Sequence, residues 1–246
     1  MISYVDDNTP KADCTNCDYA TTRLNGGLCK PGDACVMVES GRQIDRFFRK
    51  NPDLAQMYLD DPFWERRAIA TRYSPADLLI PLIKDTDEVV RRAVAYRIPI
   101  EYLDQLIADS DREVRITVAD RIPEDQLEKL MNDDDYSVRT YVAKRLPAGR
   151  LFQMIRDSDR TVRKVVAERI PVVSLQLLAM DTDVDVRRVV AQRMQPDMLP
   201  MMLNDSEWII RYEAATRVIP EALKTLINDP DEEIRTLVKL RLKLET

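Results

Sequence analysis

Apolar residues recur along most of this chain with a fixed period of 24. In DTDEVVRRAVAYRIPIEYLDQLIA, from Asp85, they occupy positions 6, 10, 11 and 14 (Val90, Val94, Ala95, Ile98), then 19, 22 and 23 (Leu103, Leu106, Ile107). Matching units start at Asp109, Asp133, Asp157, Asp181 and Asp205, and a truncated one at Asp229. A first unit, carrying about one inserted residue, is read from Asp60. The intervals i, i+4, i+5, i+8 mark one face of an α-helix of about ten residues. The Asp-x-Asp start supplies an N-cap and negative charge in the first turn. Proline at position 15 or 16 (Pro75, Pro99, Pro123, Pro147, Pro171, Pro196, Pro220) ends that helix and opens the next. The Leu-x-x-Leu-Ile segment that follows is too short for a stable α-helix, which predicts a 3₁₀ or single-turn helix. One such unit cannot bury its apolar face, but stacked units can, which predicts a solenoid.

Two other repeat architectures fit less well. A β-containing leucine-rich repeat has an overlapping period, but its Leu-x-Leu-x-x-Asn strand signature is absent and proline interrupts every unit. HEAT-type repeats carry two full α-helices and need about 30 or more residues. The chain therefore divides into residues 1–35, a degenerate capping segment 36–59, and eight repeats over 60–246, the last truncated. In the capping segment Pro52, Leu54, Met57 and Leu59 resemble the second half of a unit.

Two arginines recur in every unit. Position 7 is read as Arg66, Arg91, Arg115, Arg139, Arg163, Arg187, Arg211 and Arg235. Position 13 is read as Arg72, Arg97, Arg121, Arg145, Arg169, Arg193, Arg217 and Arg241. Position 19 is read as leucine from Leu78 to Leu223. A catalytic site is single and asymmetric, so repeated Asp and Arg read as a structural ladder. Asp87 and Arg91 stand at i, i+4 on one helix face, and both arginines can bond carbonyls or caps of the adjacent unit. The constant alanine at position 11 predicts close approach between neighbouring helices.

Composition narrows the chemistry. The chain has 246 residues, 45% of them apolar and 6% aromatic, so its core should be aliphatic. It has no histidine, which excludes a Ser-His-Asp triad, a Cys-His dyad and any histidine-containing metal site. P-loop, GxGxxG and radical-enzyme Cys-x3-Cys-x2-Cys motifs are also absent, so no enzyme activity is expected. The net charge of −6 argues against a general nucleic-acid binder. No stretch approaches 18 uninterrupted apolar residues and MISYVDDNTPKAD lacks the features of a signal peptide, so a cytoplasmic protein is expected.

All four cysteines fall in the first 35 residues, as Cys14-x2-Cys17-x11-Cys29-x5-Cys35. In a reducing compartment such a cluster reads as metal ligands rather than disulfides. Turns at Gly26, Gly27, Pro31 and Gly32 could bring Cys29 and Cys35 onto the centre chelated by Cys14 and Cys17. The segment is polar, with few apolar anchors, so a metal is needed to organise it. Four thiolates satisfy either tetrahedral Zn²⁺ or a [4Fe–4S] cluster, and spacing alone does not decide between them.

The Cys-x2-Cys head followed by 24-residue units of the form Asp-x-Asp-x-x-Val-Arg-x-x-Val-Ala-x-Arg-Ile-Pro resembles the leucine-rich repeat variant family, in particular its iron–sulfur members from nitrogen-fixing bacteria. The resemblance covers essentially the whole chain. It implies an all-α, right-handed superhelical solenoid of alternating α and 3₁₀ helices with a small Cys-rich N-terminal metal-cluster head. It also implies a [4Fe–4S] cluster on Cys14, Cys17, Cys29 and Cys35. Glu65 and Lys239, in the first and last units, depart from the apolar pattern. No defined biochemical activity comes with the family.

The function expected is a non-catalytic protein-binding scaffold with a redox- or oxygen-sensitive head. Partner reading falls to positions that vary on the fixed frame. At position 8 these are Arg67, Arg92, Ile116, Thr140, Lys164, Arg188, Tyr212 and Thr236. At position 12 they are Thr71, Tyr96, Asp120, Lys144, Glu168, Gln192, Thr216 and Leu240. One alternative is a nucleic-acid-binding solenoid using Arg66-Arg67, Arg91-Arg92, Arg163-Lys164 and Arg187-Arg188. Others are an electron carrier, and a structural zinc in place of the cluster.

Overall fold

The computed structural model describes residues 9–243. Residues 1–8, which open the expected head, and 244–246, which close the last repeat, lie outside it. The described chain falls into two compact units, divided after Pro123. Among the described residues the chain is helical, apart from one isolated antiparallel bridge between Lys30 and Ala34.

In the first unit a π-helical turn (Ala20–Leu24) precedes four α-helices: α1 (Gly41–Lys50), α2 (Trp64–Ala70), α3 (Glu88–Ala95) and α4 (Arg112–Arg121). They alternate with 3₁₀ helices at Pro52–Tyr58, Ala76–Lys84 and Ile100–Leu106, and α1, α2, α3 and α4 pack side by side in that order. In the second unit α5 (Tyr136–Arg145), α6 (Arg160–Arg169), α7 (Val184–Arg193), α8 (Trp208–Arg217) and α9 (Glu232–Leu242) pack in sequence. Their 3₁₀ partners are Glu124–Leu130, Ala148–Met154, Val172–Leu178, Leu199–Met202 and Pro220–Leu226.

The sequence pattern explains these elements. The second aspartate of Asp-x-Asp is the N-cap: Asp87 accepts from the N–H groups of Val89 and Val90, and Asp183 from Asp185 and Val186. The helix ends where the chain turns extended before proline, as at Ile122 and Ile170. Positions 6, 10, 11 and 14 form the core: Val90, Val94, Ala95 and Ile98 are fully buried, as are Val162, Val166 and Ala167. The 3₁₀ helices contribute Leu103, Leu151, Leu175 and Leu223, also fully buried. Each such aliphatic side chain contributes about 1.5–3 kcal/mol by leaving water.

The repeated arginines join neighbouring repeats. Arg91 does not pair with Asp87 on its own helix. Its Nε and Nη2 donate to both carboxylate oxygens of Asp109, at 2.7 and 2.8 Å, while Nη1 reaches back to the Asp85 carbonyl. Arg67–Asp85 repeats this fork in the first unit. Arg139–Asp157, Arg163–Asp181, Arg187–Asp205 and Arg211–Asp229 repeat it in the second. The position-13 arginines satisfy carbonyls at the end of the preceding α-helix, which otherwise lack partners. Arg121 donates to the carbonyls of Ala95 and Ile98, and Arg193 to those of Ala167 and Ile170.

The first repeat corrects the sequence register. Arg67, not Arg66, makes the ladder fork, and Leu79 is fully buried where Leu78 is 41% exposed. Counted from Asp61 the unit has 24 residues and no insertion, and position 13 is Tyr73. Arg66 then occupies position 6, where later repeats bury valine or isoleucine, and it turns outward to the head. The aliphatic core also has one exception. Around α1 it is aromatic, with Phe47 and Phe48 buried against Tyr19, Tyr58 and Tyr73.

Candidate metal-cluster head

Residues 9–40 carry little secondary structure, and their hydrogen bonds are mostly tight turns. Cys14 and Cys17 are joined by a turn in which the Cys17 N–H reaches the Cys14 carbonyl at 3.4 Å. Asp13 steadies its approach by accepting from the N–H and hydroxyl of Thr15, at 2.9 and 2.6 Å. Gly27 and Gly32 hold φ of 71° and 76°, left-handed values that glycine adopts without strain. Beyond Gly27 the Lys30–Ala34 bridge closes the loop around Gly32, with N–H to carbonyl distances of 2.8 Å in both directions. Cys29 immediately precedes this bridge and Cys35 immediately follows it, so the loop sets them side by side.

Cys14, Cys17, Cys29 and Cys35 all line one pocket, together with Tyr19, Ala20, Leu24, Pro31, Val36 and Phe47. All four are free thiols; Cys35 is buried and the other three are half-buried. Burial pushes the Cys14 thiol up, and Cys17 and Cys35 push it further. Cys29 is raised by burial and then by Cys35, Cys17 and Cys14, against an opposing pull from Lys50. Four sulfurs at an apolar pocket form a donor set suited to a thiolate-bound metal group. Among the described residues no group of three or more Cys, Asp or Glu side chains is arranged as a metal-ion site.

The head is held from outside by α1 and α2. Gln43 is fully buried on α1; its side-chain amide N–H donates to the Pro10 carbonyl at 2.8 Å, and its backbone carbonyl accepts the Cys35 N–H at 3.1 Å. Asn51, also fully buried, donates to the carbonyl of Leu28, next to Cys29, at 2.9 Å. The Tyr19 and Tyr58 hydroxyls share a hydrogen bond at 2.9 Å. Burial and that bond push the Tyr58 phenol well above its ordinary value. From α2, Arg66 donates to the carbonyls of Val36 and Met37, at 2.7 and 3.3 Å, directly after Cys35. None of these clamps follows the repeat pattern. The one available signal was a charged residue, Arg66, at a position that later repeats fill with valine or isoleucine.

Most of the expected basic ridge is engaged, although Lys164 is exposed. Arg67, Arg91, Arg163 and Arg187 are engaged in the ladder, while Arg92 and Arg188 face Glu113 and Glu213 at 3.6 and 3.2 Å. Among the described residues no helix is long and apolar enough to cross a membrane.

Alternating α and 3₁₀ helices led by a four-cysteine pocket define a helical-repeat protein with a metal-binding head. Comparisons with known proteins agree. Residues 8–57 match the family model described as "LRV protein FeS4 cluster". The solved structure described as a leucine-rich repeat variant with a novel repetitive protein structural motif is 57% identical, with a TM-score of 0.92. The alignment covers 95% of this chain and all of that one. The chain belongs to the leucine-rich repeat variant family and is one of its iron–sulfur-cluster-binding repeat proteins. It is also 35% identical over 87 residues to a Rhodobacter capsulatus protein described as an uncharacterized 27.7 kDa protein in the nifB 3' region. That match spans only about a third of either chain (35%).

Proposed function

We propose that the chain is a non-catalytic scaffold whose head holds a [4Fe–4S] cluster on Cys14, Cys17, Cys29 and Cys35. The observation that carries this reading is the single apolar pocket lined by all four cysteines. When bound, a cluster supplies one-electron redox chemistry and sensitivity to oxygen. The chain's own residues do the rest. The Lys30–Ala34 bridge aligns Cys29 with Cys35, Gln43 and Asn51 fix the backbone beside them, and Phe47 and Tyr19 keep water off one side of the pocket.

On this reading residues 1–35 are the head, 36–59 cap the array, and the repeats offer variable front positions to a protein partner. The compartment is the cytoplasm, where thiols stay reduced. Arg66 gives the head a direct hold on the first repeat, so gain or loss of the cluster reaches the partner-reading surface. The test is partner capture with intact and cluster-stripped protein. Different recovered partners support the reading, whereas identical sets would reduce the cluster to a structural staple.

A further inference from the structure

The front of the second unit is not uniform. Along α5 to α8 several charges are matched: Lys144 lies over the Tyr141 ring at 5.0 Å, Arg160 faces Asp183 at 3.4 Å, and Glu213 takes Arg188 and Gln192 at 3.2 and 2.9 Å. Between α8 and α9 the pattern changes. A groove there is lined by Tyr212, Glu232, Glu233, Thr236, Leu237 and Leu240. Trp208 meets Tyr212 edge to face, with ring centroids 6.3 Å apart. Leu240 is 76% exposed and Trp208 44%, and the carboxylates of Glu232 and Glu233 have no basic partner among the described residues.

We infer that this groove docks a basic, apolar segment of a partner protein, deepening the scaffold reading on which it rests by fixing where and what the scaffold binds. Charge complementarity selects the occupant. Two unpaired carboxylates beside an aromatic ring make a seat for a lysine or arginine, held by the acids and by the face of Tyr212. Leu237 and Leu240 then form a shelf for an aliphatic side chain from the same segment. Exposed tryptophan and tyrosine are the residue types that dominate binding energy when a partner covers them. The chain's net charge of −6 favours encounter with a basic partner.

Trp208 makes the test direct, because Trp64 is the only other tryptophan. The full chain carrying Trp64→Phe is titrated with a capped hexapeptide of three lysines alternating with three leucines, and with its counterpart in which glutamate replaces lysine. The lysine peptide should change Trp208 emission saturably and the glutamate peptide should not. Glu232→Gln together with Glu233→Gln should weaken the lysine peptide about tenfold, and Leu240→Ala several-fold. Both sites are exposed, so unchanged thermal melts check that these variants fold. Equal binding of the two peptides, or no saturable change up to about 1 mM lysine peptide, would overturn the inference. So would a dimer of the chain that the double glutamine variant dissolves, since the groove would then belong to a second copy. The scaffold reading fails separately: partner sets indifferent to the cluster leave this titration standing, and a silent groove leaves the capture result standing.

Discussion

Between residues 9 and 35 only Ala34 and Cys35 are buried, whereas the repeat from Asp85 buries Val90, Val94, Ala95, Ile98, Leu103 and Leu106 within 24 residues. The two regions reach order by different physics. A repeat carries its own core and is locked to the next by a bidentate Arg–Asp pair whose side chains are 12% and 6% exposed at Arg91–Asp109. The head has almost no core. Its backbone is held by left-handed glycine turns and by clamps from Gln43, Asn51 and Arg66, around four thiols that repel one another when ionised. On the proposed reading, a segment built this way depends on the group its thiols hold.

The largest effect should come from removing one thiol. Cys35→Ser should abolish cluster content and leave the amides of residues 20–35 unprotected in hydrogen exchange, with protection of α5 to α9 unchanged. Full iron content in this variant would break the contrast between the two regions.

Within the repeats, Arg91→Ala leaves Asp109 buried without its partner and should cost about 3–5 kcal/mol in urea unfolding. Arg188→Ala, at an exposed pair, should cost under about 1 kcal/mol. Equal costs would mean that the ladder does not hold the repeats together. The corrected register makes an equally sharp demand. Leu79→Ala should cost about 2–5 kcal/mol, and Leu78→Ala no more than about 0.5 kcal/mol; the reverse order would restore the register counted from Asp60.

The smallest effect is the acid response. Burial pushes the carboxyls of Asp85, Asp109 and Asp205 up, but their bonds to Arg67, Arg91 and Arg187, together with backbone N–H groups, outweigh it and hold them below the usual carboxylate range. At Asp229 the Arg211 bond is the leading cause, in the same direction. Because the folded values lie below the unfolded ones, the stability these groups add is present above the unfolded value of about 4. It is lost as pH falls through the folded values. Urea midpoints should therefore hold from pH 7 to 5 and fall below about pH 4. A decline starting near pH 6 would contradict this, since the chain has no histidine to titrate there.

The fold was largely legible because each repeat restates the same local rules: the Asp cap, the apolar stripe, the proline corner and the short leucine helix. Legibility failed where the repeat pattern was ambiguous or absent. The doublets Asp60-Asp61 and Arg66-Arg67, with Tyr73 in the place of an arginine, made the first register look shifted by one. The distance from Pro75 to Pro99 already carried the correct period. The partner of Arg91 was misread because a periodic array offers an aspartate both four residues before it and 18 after it; only the packing of successive repeats selects Asp109. Of the head, the cysteines and the glycine turns were visible in the sequence. The clamps from Gln43, Asn51 and Arg66 were not, because they are single long-range contacts that no period repeats.

The central claim is that four cysteines on a nearly coreless head hold one iron–sulfur cluster. Anaerobic purification followed by iron, sulfide and zinc analysis, with absorption and EPR spectra, tests it most directly. Four irons and four acid-labile sulfides per chain, with a cluster signal that disappears in Cys35→Ser, is the predicted result. One zinc per chain without sulfide would contradict it.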